Sequence, residues 1–294
     1  MTSPVSELIE LLSLERLEDN LFRGQSRDIG TRYVFGGQVL GQALSAAQAT
    51  IDPATGSRAA HSLHAYFLRA GDIEHPIVYD VDRTRDGGTF SVRRVTAIQH
   101  GKVIFFCAAS FQVAEDGAQH QLTMPEVPKP EDIAAGAALS PEALAALPTK
   151  VQRWLSRDGT VRVPPRLSAR RTEPAEAPAL PAGLVPPVGA GRRRAGAASR
   201  AAGLCQRLPP AGHRDLPARD QLLPAGRADG LARPRLWFHR DFRADDWLLY
   251  SIDSPSSAGL AWAGARADLR PHGRLVASTA QEGLIRVVPP QAVG

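Results

Sequence analysis

Two stretches of this chain echo each other in order and spacing. Tyr66-Phe67-Leu68-Arg69 precedes Ile77-Val78-Tyr79-Asp80-Val81-Asp82, and Trp237-Phe238-His239-Arg240 precedes Leu248-Leu249-Tyr250-Ser251-Ile252-Asp253. Further on, His100-Gly101-Lys102-Val103 with Ala108-Ala109-Ser110 has its partner in His272-Gly273-Arg274-Leu275 with Ala277-Ser278. The offset holds at about 171 residues, too long for a solenoid period, so the duplicated unit is a whole domain. The chain must fold as two copies of one plan, and the earlier copy is where that plan is easiest to read.

In the earlier copy, Gly36-Gly37 breaks an extended run, and a helix is expected over 33–48. Val39, Leu40, Ala43, Leu44, Ala46 and Ala47 give it one broad apolar face at helical spacing. Its small residues, Gly41 among them, let it sit close against neighbouring backbone. Four strands are expected next, over 61–69, 76–83, 89–99 and 102–113, with Asp86-Gly87-Gly88 and His100-Gly101 at the hairpin turns. Val103, Phe105, Cys107, Ala109 and Phe111 alternate onto one side of the last strand. Ahead of all this lie an amphipathic helix over 5–17, entered through Ser3-Pro4, and a strand over 21–26. The unit is α+β: an antiparallel sheet curved around one helix. Pro125, Pro128, Pro130 and Pro141 mark a linker, with a short helix expected over 141–147.

The later copy has a hole. Shifting Gly36 by the repeat offset places a second central helix from about Arg207 to 220, and that stretch holds Pro209, Pro210 and Pro217. Each interior proline costs a helix about 3 kcal/mol. From Gly183 to Arg235 there is no aromatic residue, isoleucine or glutamate, and Ala, Arg, Pro and Gly dominate. Such a composition cannot build a core, but a GC-rich gene read in the wrong frame produces it. Leu204-Cys205-Gln206-Arg207 can be encoded so that a one-base advance reads Tyr-Ala-Ser-Asp. Pro217-Ala218-Arg219-Asp220 can give Pro-His-Gly-Ile in that frame, and Gly183-Leu184-Val185-Pro186 can give Val-Trp-Phe-Arg. The expected organisation is a first unit over 1–117, a linker over 118–160, an anomalous out-of-frame and disordered segment over 161–235, and the remaining strands of the second unit over 236–294.

Leu21-Phe22-Arg23-Gly24-Gln25-Ser26, Phe35-Gly36-Gly37-Gln38-Val39-Leu40-Gly41-Gln42-Ala43, His61-Ser62-Leu63-His64-Ala65-Tyr66-Phe67-Leu68-Arg69, Trp237-Phe238-His239-Arg240 and Ser278-Thr279-Ala280-Gln281-Glu282-Gly283 together resemble type II acyl-CoA thioesterases. The resemblance covers residues 5–130 and 236–288 and implies a double hotdog fold. It also implies hydrolysis of fatty acyl-CoA by activated water, without a metal, cofactor or covalent intermediate. An Asp, a Gln and a Ser or Thr of the second hotdog hold that water in the family. Gln281 matches the catalytic Gln. The Asp slot is occupied by Arg207, and Leu231-Ala232-Arg233-Pro234-Arg235 stands where the hydroxyl belongs. Two of three groups therefore lack a match, and this chain is expected to be catalytically impaired. Gly36 and Gly37 are candidates to hold acyl-CoA against the first helix. The alternative is a non-catalytic remnant that binds acyl-CoA or a partner.

Other classes find little support. The net charge of +5 and pI near 9.7 come mostly from the anomalous segment, so no nucleic-acid partner is expected. No apolar run suits a membrane span. Cys107 and Cys205 do not make a disulfide framework, which fits a cytoplasmic protein. His61 and His64, three apart on a strand, should face opposite ways, so no metal is expected. A hotdog hydratase would need an Asp/His pair beside a helix, and His61 is the sole candidate. Ser254 to Ser257 has no nucleophile elbow. A homo-oligomer is expected by resemblance.

Overall fold

The computed structural model describes residues 9–27, 32–126, 182–185, 233–242, 248–251, 256–258, 261–269 and 273–284. Its first half is built on helix α1, Gly36–Ala49, which follows an extended Phe35. Strands β1 (Glu15–Arg16) and β2 (Leu21–Gly24) precede the helix. Strands β3 (Arg58–Phe67), β4 (Ile77–Asp86), β5 (Phe90–Gln99) and β6 (Lys102–Val113) follow it. The second half contributes β7 (Ala182–Val185), β8 (Arg233–Phe238), β9 (Leu248–Ser251), β10 (Ser256–Ala258), β11 (Ala261–Leu269) and β12 (Arg274–Leu284).

The twelve described strands form one antiparallel sheet in the order β1-β2-β4-β5-β6-β3-β8-β12-β11-β9-β7, with β10 beside β11. Read outward from the β3–β8 seam, the two sides match: β3 with β8, β6 with β12, β5 with β11, β4 with β9 and β2 with β7. The seam pairs Ser62 with Trp237, Leu63 with Leu236 and His64 with Arg235. The duplication read from the sequence is thus a duplication of sheet order.

The core of the first half lies between α1 and the sheet's inner face. Val39, Leu40, Ala43, Leu44, Ala46 and Ala47 are buried there against Val81, Val95, Phe105, Cys107, Ala109 and Phe111. Apolar burial of this kind stabilises by roughly 25 cal/mol per Å². The helix also buries two glutamines. Gln42 Nε2 donates to the carbonyls of Leu11 (2.7 Å) and Gln25 (2.9 Å), and Gln42 Oε1 accepts the Tyr79 hydroxyl (2.7 Å). Gln38 Nε2 also donates to Gln25 O (3.0 Å). A Cβ on Gly24 would sit 2.7 Å from Gln42 Oε1, so only glycine lets β2 pass this close.

Two buried arginines fasten the far hairpin. Arg93 donates to Thr50 Oγ1, Thr50 O, Arg85 O, Val92 O and Asp86 Oδ1, while Arg58 donates to Ser91 Oγ and to the carbonyls of Gly87 and Gly88. The β5–β6 turn has His100 at φ 49° and Gly101 at φ 67°, the primed geometry that matches strand twist.

Three expectations need correction. The first helix stops by residue 12, because Ser13 Oγ bonds back to Ile9 O and Glu15–Arg16 pairs with Phe22 and Arg23. Ile104, not Val103, is buried beside Phe105, since a bulge shifts the β5–β6 register between Ala97 and Ile98. Inside the segment expected to be disordered, residues 182–185 form β7 against β9, and β8 starts at Arg233. The helix expected over 141–147, the slot at Arg207 and the stretch to 220 lie outside the described residues. No described helix is long and apolar enough to cross a membrane.

Candidate active site

Gln281 lies on β12 opposite Pro234 of β8. Because strand side chains alternate, Ala277, Thr279 and Gln281 share one face, and the cross-strand neighbours Phe238, Leu236 and Pro234 join them. Ala277, Thr279 and Leu236 are buried, so this is the inner face, and Gln281 stands half-buried at its open end.

The corresponding inner face of the first half pairs Phe67 with Phe105, Ala65 with Cys107 and Leu63 with Ala109. Those positions are apolar and, apart from half-buried Phe67, fully packed. The second half keeps this framework but places Thr279 where the first has Cys107, and Gln281 where it has Ala109. A polar amide on an inner face must find a partner or a ligand. The Gln281 side chain makes no hydrogen bond among the described residues. Its amide offers two donors and an acceptor, enough to orient water or a carbonyl. Beside it, Pro234 has no N–H to compete for that acceptor.

Arg207, in the expected Asp slot, is outside the described residues, as are Leu231 and Ala232. Arg233, Pro234 and Arg235 are described, and none carries a hydroxyl. The structure therefore brings Gln281 together with Thr279 but not with the other two expected groups. Thr279 is the residue the sequence reading passed over. Its signal was available: within Ser278-Thr279-Ala280-Gln281 it shares Gln281's parity.

Gly36 and Gly37 open α1. The first N–H groups of a helix have no intrahelical partner and carry the positive end of its dipole. A Cβ on Gly36 would lie 3.0 Å from Phe67 Cζ, so glycine here also admits the ring that closes this end of the core. Gly37 is half-buried.

The histidines behave differently from expectation. A bulge between Ala60 and Ser62 carries His61 to the outer face. There its Nε2 is 2.8 Å from Ser110 Oγ and its ring meets Phe90 edge-on, while desolvation lowers its pKa. His64 packs edge-on against Trp237 across the seam. Both rings therefore look outward, with different partners. His61 is on the face away from α1, so it does not supply the hydratase arrangement. On the second half's outer face, His239 Nε2 lies 2.8 Å from Ser278 Oγ, and burial followed by the Arg240 charge lowers its pKa.

Residues 24–112 match the family described as Acyl-CoA thioesterase N-terminal domain, and residues 235–284 match Acyl-CoA thioesterase. The chain is 35% identical to Acyl-CoA thioesterase 2 of Haemophilus influenzae, over 97% of this chain and 99% of that protein. It is also 35% identical to human Acyl-coenzyme A thioesterase 8, over 95% of this chain and 88% of that one. Among solved structures, acyl-CoA thioesterase II TesB2 from Mycobacterium marinum superposes with a TM-score of 0.68 at 34% identity, covering 96% of this chain and 98% of that one.

Proposed function

The chain belongs to the acyl-CoA thioesterase family, and on that premise we propose that its hydrolytic site is the inner face of the second half, with Gln281 holding the attacking water. The overall reaction is hydrolysis of acyl-CoA to free fatty acid and CoA. The observation that carries the site assignment is the presence of Thr279 and Gln281, on strands of matching register, where the first half has Cys107 and Ala109.

The chemistry follows from these groups. Water attacks the thioester carbonyl carbon, the C–S bond breaks, and the sulfur leaves as the CoA thiol after gaining a proton. Gln281 Oε1 accepts one hydrogen of the water and fixes its lone pair toward the carbonyl. A carboxylate is needed to take the proton as attack proceeds, since an amide cannot. The free N–H groups of Gly36 and Gly37 suit a bound anionic oxygen of the substrate. Arg207 cannot supply the carboxylate, and 231–235 contains no hydroxyl. This chain is therefore an impaired thioesterase whose segment over 161–235 is translated out of frame. The composition of 183–235 and the shifted codons support that reading. The enzyme works in the cytoplasm as a homo-oligomer, a reading supported by the family resemblance and by buried Cys107 being a free thiol.

The test is release of free thiol from palmitoyl-CoA by the purified chain, beside a chain translated one base forward across the anomalous region. The original should turn over near background and the restored chain well above it. In the restored chain, Gln281→Ala should lower kcat by about 100-fold. Full turnover by the original chain would overturn the impairment, and an unaffected Gln281→Ala would overturn the site. The first half is a complete helix-on-sheet unit, so acyl-CoA binding without turnover would favour the non-catalytic alternative.

A further inference from the structure

Three metal-ligating side chains that hydrolysis does not use meet at one edge of the first half. Asp72 and His75 lie between β3 and β4, and His100 opens the β5–β6 turn. Asp72 Oδ2 is 2.8 Å from His75 Nδ1 and 3.0 Å from His100 Nε2, and the three ligand atoms lie within 4.8 Å of one another. The two rings meet edge-on with centroids 4.6 Å apart.

The arrangement is held from behind. Gln99 is buried; its Nε2 donates to the carbonyls of Asp72 (2.9 Å) and His75 (2.8 Å), and its Oε1 accepts the Asp72 amide (2.8 Å). Glu74 N–H donates to Asp72 Oδ1 at 2.9 Å, which leaves Oδ2 facing the histidines. His100 is the one described non-glycine residue at positive φ, and that turn geometry aims its ring back over the loop.

We propose that Asp72, His75 and His100 bind one divalent transition-metal ion of the zinc type. Two imidazoles and a carboxylate form a donor set for zinc, cobalt, nickel or copper, whereas magnesium and calcium favour all-oxygen shells. A tetrahedral ion with bonds of about 2.0–2.1 Å needs ligand atoms about 3.3 Å apart. The two histidine–aspartate distances must widen by a few tenths of an ångström, and the two ring nitrogens must close on each other. Side-chain rotation at these half-exposed residues supplies both movements. On binding, the ring protons move to His75 Nε2 and His100 Nδ1, and both face away from the ion. The fourth position stays open to water.

An ion here would cross-link more than a surface turn. Gly71 O accepts Val34 N–H at 3.0 Å, just before α1, and His75 O accepts Ser26 Oγ–H at 2.6 Å, just after β2. The β5–β6 turn would become tied to the chain leading into the helix. This inference stands independently of the hydrolytic site.

The untagged full chain, stripped with a chelator, is titrated with Zn²⁺ alone by calorimetry and then with Co²⁺ by visible absorption. The expected result is one equivalent bound at roughly 10 µM or tighter, with Co²⁺ ligand-field bands and a Zn²⁺-dependent rise in Tm. Asp72→Asn, His75→Gln and His100→Gln should each weaken binding about ten-fold or more and abolish the Tm rise. His64→Gln, on the outer face, should change nothing. Absence of Zn²⁺ binding or Co²⁺ bands in the parent chain overturns the proposal. Equal affinity in all three variants also overturns it by placing the ion elsewhere. The parent's Co²⁺ spectrum decides the matter even where a variant folds poorly.

Discussion

Arg69 and Arg240 do the same work in the two halves of the sheet. Each follows its seam strand, β3 or β8. Each donates its backbone N–H to a carbonyl of the neighbouring strand, Arg69 to Ile104 O at 3.1 Å and Arg240 to Val276 O at 3.3 Å. Each guanidinium then reaches the preceding carbonyl, that of Val103 or Leu275. The arginine thus closes the end of β6 or β12 over the chain that leaves the seam.

The two sites differ in exposure, because the Arg240 bond is partly buried and the Arg69 bond lies in solvent. Arg240→Ala should cost about 1–2 kcal/mol and Arg69→Ala less than about 1 kcal/mol. Urea-unfolding midpoints check this, and a larger loss for Arg69→Ala would contradict the comparison.

Gln42 is predicted to be the least replaceable polar residue of the first core. Gln42→Leu keeps the volume but leaves the Tyr79 hydroxyl and the Leu11 carbonyl buried without a partner, at a cost of about 2–4 kcal/mol. Tyr79→Phe should cost about 1–1.5 kcal/mol, since it orphans only the Gln42 oxygen. Thermal unfolding of both variants gives the order.

Acid should loosen the β4–β5 hairpin. Burial raises the Asp86 pKa, but hydrogen bonds from Ser91 and Arg93 and the charges of Arg93 and Arg58 outweigh it, so the net shift is downward. A carboxyl depressed in the folded state stabilises above its unfolded pKa and loses that contribution as pH falls through the lower, folded value. The loss should begin below the ordinary carboxylate value of 3.8. Because half of the Asp86 side chain is exposed, the effect is modest. Asp86→Asn should flatten this part of the stability profile in urea titrations below about pH 4, while lowering stability at neutral pH by uncovering buried Arg93.

Cys107 should be inert. Desolvation pushes its thiol up to about 12, and no part of it reaches solvent. A thiol reagent followed by peptide mapping should label it at the rate of unfolding, and labelling in native buffer would contradict the burial.

The first half was largely legible in the sequence because its residues obey simple periods. The apolar spacing from Val39 to Ala47 could only be a helix packed on one side, and the alternation from Phe105 to Phe111 could only be a half-buried strand. What escaped were local departures from period. The bulge that turns His61 outward changes no residue type, and neither does the register shift that buries Ile104. Arg93 reads as a surface charge beside Arg94, yet it is buried because Thr50, Asp86 and three carbonyls surround it. Asp72, His75 and His100 meet only because two separate turns are clasped by Gln99, a long-range fact with no sequence pattern. At the candidate site the motif singles out Gln281. Thr279 follows from its strand parity with Gln281, and laying the two copies over each other sets it against Cys107.

The β3–β8 junction has a consequence for what either copy can do alone. The described part of it is a short antiparallel ladder between Ser62–His64 and Arg235–Trp237. Without β8, the outermost strand of the first copy would offer bare amides and carbonyls, an edge that invites any complementary strand. An antiparallel seam carries near-twofold symmetry, so the best complement at hand would be β3 of another molecule. Covalent duplication turns that bimolecular encounter into an internal one. It also leaves the second copy free to carry Thr279 and Gln281 at positions where the first carries Cys107 and Ala109.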